Sequence, residues 1–144
     1  MRVDFYQLSR DPAEAVVPLL AARALAAGQR LLVVSEDEGQ IGRISDGLWS
    51  RRDSFLAHGL IGGEDDARQP ILLANRVDPA NGARFLMLAD GRWREGGERF
   101  DRTFYLFDDG TLRAARECWV ALKGREGLTR HFWRQEGGRW TEAG

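Results

Sequence analysis

A single cysteine, Cys118, in 144 residues leaves no internal disulfide and no thiolate cluster for a metal. The only histidines, His58 and His131, stand far apart, so metal-ligand spacing is missing too and no local signature pairs either with the thiol. No apolar run approaches the roughly 20 residues a bilayer-spanning helix requires. Met1 to Leu8 lacks the basic stretch and apolar core of a secretory signal, which makes the cytoplasm the expected compartment. The formal net charge is −1, without the basic excess of a domain that coats nucleic acid. Lysine occurs once, as Lys123, against 20 arginines, a bias that a GC-rich genome explains without any binding role. Phosphate-binding loops are also missing, for neither GxGxxG nor GxxxxGK occurs. "SRDPAE" after the first apolar run has no glycine, and "SEDEGQIG" after the second would repel phosphate with its acids. No cofactor and no metal are expected.

What is present reads as one domain, 1–144, with an ordinary apolar fraction of 43% and charged fraction of 30%. "VDFYQL" (3–8) and "RLLVVSE" (30–36) have the β-branched, continuously apolar character of central strands. Between them Asp11, Pro12 and Glu14 mark a helix start and Gly28 a stop, with Pro18 placed to kink the axis or mark a restart. Ile41, Ile44 and Leu48 form a helical stripe in 37–49, opened by the acids of "SEDE", which read as caps rather than as catalytic or Mg²⁺-binding carboxylates. Strand candidates follow at 54–60, 70–75, 84–89 and 103–107, with a polar loop at 90–102. Asp108 and Asp109 open a last helix that Gly127 is expected to close, and "LTRHFWRQ" and "RWTEA" flank a terminal hairpin turn. The alternation implies a Rossmann-like layered α/β fold with a mostly parallel central sheet and no phosphate-binding loop.

The last helix carries the densest chemistry. From Thr111 onward seven basic residues face four acidic ones. Leu112, Ala115, Trp119 and Leu122 share helical spacing and should border the core. Arg113, Arg116, Val120 and Lys123 form a second stripe one residue round. Two readings stay open: a solvated charged face whose tryptophan fills core, or a pocket in which arginines fork a carboxylate and an aromatic edge walls an apolar slot. Cys118, in mid-helix, reads as a small half-buried packing residue.

"FYQL", "RLLVVSEDEGQ", "LWSRRDSFLAHGL" (48–60) and "ARECWVALK", with the tryptophan-rich tail, resemble in order and spacing the chi subunit of bacterial DNA polymerase III over most of the chain. The resemblance implies a non-catalytic accessory subunit with a Rossmann-like fold that binds no nucleotide. Such a subunit ties the clamp-loader assembly to single-stranded-DNA-binding protein (SSB) by gripping its acidic, Phe-terminated tail, and so meets DNA indirectly. Arg116 and Trp119 align with the family's tail-binding arginine and aromatic, and Arg113 with an upstream basic position. Val120 stands where some relatives have a lysine, with Lys123 one turn further on. The resemblance also places Trp49 and Phe55 at the docking face for the psi subunit or a lineage-specific equivalent, although core packing would equally suit two large aromatics. The rival from another class is a small α/β enzyme with an undetected nucleotide or thiol site.

Overall fold

A computed structural model describes residues 1–51, 56–136 and 139–143; Phe55 lies outside them. Eight strands and three α-helices follow the order β1 (Arg2–Gln7), α1 (Ala13–Ala26), β2 (Leu31–Val34), α2 (Glu38–Trp49), β3 (His58–Leu60), β4 (Ile71–Ala74), β5 (Phe85–Leu88), β6 (Arg102–Phe107), α3 (Leu112–Ala121), β7 (Thr129–Glu136) and β8 (Arg139–Glu142). The strands form one sheet in the order β3-β4-β2-β5-β6-β1-β7-β8, parallel throughout except for the β7–β8 hairpin. The first strand, helix and second strand do form a βαβ unit, but β5 and β6 insert between β1 and β2.

All four residues of β2 and of β4 are buried, as strands covered on both faces must be. On one face Tyr6, Leu31, Val33, Ile71, Leu73, Met87, Phe104 and Leu106 pack beneath α1 and α2. On the other, Val3, Phe5, Tyr105 and Phe107 pack beneath Ala115, Cys118 and Leu122 of α3. That second layer continues over Leu32, Val34, Leu72, Leu86 and Leu88, covered by Val77, Trp93 and Phe100 from connecting segments. The result is a three-layer α/β/α arrangement.

Several local expectations need correction. Asp11 does not cap α1: the N-cap is Pro12, without a side-chain bond, and Asp11 instead accepts from Gln135 Nε2 at 2.6 Å. Pro18 does not interrupt α1, which runs through it. Proline denies the Glu14 carbonyl its helical donor, and α2 closes against this point through Gly47, where a Cβ would lie 3.1 Å from that oxygen. The last helix ends at Ala121, not near Gly127, and the left-handed turn behind it is made by Gly124 at φ 75°. Lys123 is thus in the turn rather than on the helix. Asp37 caps α2 by accepting from Gln40 N, and Asp108 forms a reciprocal capping box with Thr111, as their positions suggested.

One buried polar group belongs to the sheet itself. Asp4, fully buried in β1, accepts from Arg2 Nε and Nη2 on its own strand, from Arg102 Nε at 2.8 Å on β6 and from Trp133 Nε1 at 2.9 Å on β7. Burial works to raise the Asp4 pKa, but the bonds from Arg2 and Trp133 and the charge of Arg102 outweigh it and hold the carboxyl below its ordinary value.

Two stability predictions follow from this packing. Gly91 sits at φ 76°, and a Cβ there would lie 2.5 Å from Thr111 Oγ1, inside the Asp108–Thr111 capping box of the turn that leads into α3. Gly91→Ala should therefore cost more than about 2 kcal/mol in urea unfolding, whereas Gly82→Ala, with positive φ but open space, should cost only about 1–2 kcal/mol. Asp4→Asn should lose more than about 2 kcal/mol, short of the roughly 3–5 kcal/mol of a fully buried pair because both guanidiniums reach water. Since the native Asp4 pKa lies below the unfolded one, its contribution is present above about pH 4 and lost as pH falls below that. A pH series of unfolding curves should show a shallower acid limb for Asp4→Asn; an unchanged limb would contradict the assignment.

Candidate functional site

Helix α3 is set in place from both ends. Asp108 Oδ1 accepts from Thr111 N at 3.1 Å while Asp108 N donates to Thr111 Oγ1 at 3.0 Å, which fixes where the helix leaves β6. Its inner side, Ala115, Cys118 and Leu122, is buried on the sheet. Trp119 is half-buried, its ring edge-on to Phe5 at 5.1 Å and to Phe132 of β7 at 5.8 Å, in the T-shaped arrangement that the ring quadrupoles favour. The ring is not left open beside a basic row. Arg130 of β7 lays its guanidinium 4.0 Å from the indole centroid and donates through Nη1 to the Trp119 carbonyl.

The outward stripe is as its spacing requires. Arg113, Arg116, Val120 and Lys123 are exposed, Val120 at 69%. Arg113 meets Glu117 at 3.5 Å, but both side chains are largely in water, so the pair is weak. Arg116 and Lys123 have no ion-pair partner among the described residues. Arg134 adds a further cation, 5.8 Å from the centroid of Phe132. The face thus presents exposed Arg116, Val120 and Lys123 from α3 and the turn behind it, beside β7 with Arg130 over Trp119 and Arg134 near Phe132. It can fork carboxylates and receive an apolar side chain at the same time. Of the five residues marked on the sequence, Trp119 meets β7, Arg116, Val120 and Lys123 are exposed, and Arg113 borders a separate cavity lined by Gly91, Trp93 and Glu117; the β7 residues on this side are Arg130, Phe132 and Arg134. Strand alternation groups those three on one side of β7, but only the pairing of β7 with β1 brings that side next to α3.

The enzyme readings lose their footing in the same geometry. Burial pushes the Cys118 thiol up to about 12, against a smaller opposing effect of Arg125, so thiolate is scarce at neutral pH. His131 alternates with Phe132 and so points to the opposite face, where its Nδ1 lies 2.6 Å from Glu142 Oε2. His58 is on the far edge strand, with Nδ1–H donating to the Leu56 carbonyl and Nε2 accepting from Ser45 Oγ. At the carboxyl ends of β1, β5 and β6, where open α/β sheets take ligands, a cavity of about 440 Å³ has the acids Asp11, Glu14, Asp90 and Asp108 in its lining against the single cation Arg10. Burial favours the neutral form of Asp90, yet Arg94 and two backbone N–H groups hold it ionised. Asp108 caps the 3-10 turn Asp109–Thr111 that leads into α3. A phosphate would meet carboxylates there instead of free N–H groups. Among the described residues no cluster of three or more ligating side chains could hold a metal.

Trp49 ends α2 with 55% of its surface exposed and its ring centroid 4.3 Å from that of His58. The core-packing alternative for this residue does not hold.

The family model described as DNA polymerase III chi subunit, HolC, matches residues 1–129. No curated protein matches the chain.

The thiol assignment has a direct check. In the native protein at pH 8, alkylation of Cys118 should be slower than for a free thiol by at least about tenfold and become fast on unfolding, given its burial and raised pKa. Rapid native labelling would restore the thiol-site reading.

Proposed function

This chain belongs to the DNA polymerase III chi subunit family, and we propose that it acts, without catalysis of its own, as the replication accessory subunit that links the clamp-loader assembly to SSB. The grip on SSB is its α3–β7 face, which takes the acidic C-terminal tail and its terminal phenylalanine. The observation that carries this reading is the seating of Arg130 on Trp119 beside the unpaired Arg116 and the exposed Val120. Cations and an apolar seam are presented together, as a ligand with a carboxylate next to a phenyl ring demands. Arg113 and Lys123 extend the positive field along the acidic part of the tail. DNA is reached indirectly, through SSB, in the bacterial cytoplasm. A psi subunit or lineage-specific equivalent docks at the far end of the molecule, where the exposed indole of Trp49 supports an interface and Phe55 is its sequence neighbour in that role.

The energetics suit a contact that is made and released. Burying a phenylalanine contributes about 1.5–3 kcal/mol, and each charge-assisted hydrogen bond about 1.5–3 kcal/mol. Association and ordering of the tail take back much of that sum. The expected affinity is on the order of micromolar and falls with salt. A partner offering several tails would be held more tightly through effective concentration.

Calorimetric titration with an acidic peptide ending in Phe tests the assignment. Arg116→Ala, Arg130→Ala and removal of the terminal Phe should each weaken binding at this face by about tenfold or more. Trp49→Ala should leave it unchanged. Absence of binding at low salt, or binding indifferent to Arg116 and Arg130, would overturn the reading.

A further inference from the structure

Arginines and aromatic rings meet a second time on the opposite side of the sheet. Between α1 and strands β6, β1, β7 and β8 lies a groove of about 700 Å³. Tyr6, Trp133 and Trp140 make its floor, Trp133 stacked on Tyr6 at 6.0 Å and 14° and Trp140 edge-on to Tyr6 at 5.1 Å. Leu19 of α1, 43% exposed, leaves an apolar side chain on the rim. Four guanidiniums converge on this floor. Arg2 and Arg102 share the single carboxylate of Asp4, and Arg23 and Arg139 are exposed with no carboxylate partner among the described residues. Among the described residues, the only carboxylate lining the groove is that of Asp11, already engaged by Gln135. The groove therefore carries a positive excess over an apolar base.

We propose that this groove is a second docking site, taking an acidic peptide segment that bears a large apolar side chain. Arg23 and Arg139 provide forks for carboxylates at the rim, and the space between Leu19 and the Trp133–Trp140 floor receives the apolar group. Single-stranded nucleic acid fits less well. Base stacking needs open ring faces, but here Tyr6 lies against Trp133 and Arg102 lies 4.4 Å over the Phe104 ring. The ligand class is that proposed for the α3–β7 face, and for that identity alone the inference rests on the preceding reading. Two sites on opposite faces would let one molecule hold two tails of a multi-tailed partner.

The test is a calorimetric titration of the full chain at low salt with the acidic Phe-terminated peptide, and in parallel with an oligo-dT strand. The proteins are wild type, Arg116→Ala, and the double variant Arg23→Glu with Arg139→Glu, whose positions are exposed and leave folding intact. The expected result is two peptides per chain for wild type and one for either variant, with groove affinity reduced at least about tenfold in the double variant. One peptide per chain, lost in Arg116→Ala and indifferent to Arg23 and Arg139, overturns the groove and leaves the α3–β7 reading standing. One peptide lost only in the double variant supports the groove and overturns the other face. No peptide at all overturns both. Oligo-dT binding that the double variant abolishes, without peptide binding there, overturns the peptide assignment in favour of nucleic acid.

Discussion

The buried carboxylate of Asp4 is the interaction on which the remaining structure hangs. It lies near the middle of β1, the strand that joins the first-laid half of the sheet to the C-terminal hairpin, and it collects donors from three adjacent strands. An ionised group in that position is tolerable only with its partners in place. A slip of β6 or β7 by one residue would turn Arg102 or Trp133 to the other face and strand the charge. The bond set therefore specifies register as well as contributing energy. One residue on, the same register points Phe5 to the other face, against Tyr105, Phe107 and Trp119. Placement of the α3 indole thus depends on strand alignment dictated from the opposite side of the sheet.

That coupling underlies the peptide capture proposed for this sheet. Nucleotide-binding sheets use the crevice at the carboxyl ends of their strands and the free N–H groups of a helix amino terminus. In this chain Asp108 caps the short 3-10 turn that leads into α3, and it lines the crevice with Asp11, Glu14 and Asp90 against the single cation Arg10, so carboxylates predominate at that end. The positive charge is moved to the broad faces instead, onto α3 with one side of β7, and onto the strand surface beside α1. Both faces are finished by the hairpin, whose alternating residues send Arg130, Phe132 and Arg134 to one side and Trp133 and Gln135 to the other. The chain's basic C-terminal quarter thus supplies cations to both proposed peptide sites.

Much of this was legible in the residues. The continuous apolar runs of β2 and β4 could only be doubly covered strands, and the Asp37 and Asp108 caps were readable from their place before helical stripes. The stripe Arg113, Arg116, Val120, Lys123 predicted an outward basic row, which is what α3 presents, save that Lys123 lies past its end. What was hidden depends on pairing between distant segments. Nothing local says that β7 lies beside β1, so the arginine that covers Trp119 could not be found from α3 alone. Asp11 misled because its local motif fits a cap, yet Gln135, 124 residues on, competes for its carboxylate. Pro18 marks no restart of α1, and the carbonyl it frees is closely approached by Gly47 of α2.

Among the elements of this account, the position of the acidic tail over Trp119 is the one on which the functional reading turns. The most direct measurement is the NMR cross-peak of the Trp119 indole Nε1–H, assigned with Trp119→Phe, followed as the acidic Phe-terminated peptide is added. The account predicts that this peak shifts progressively, together with backbone amides of residues 113–123 and 130–134. Peptide binding that leaves the Trp119 indole and those amides unmoved would contradict it.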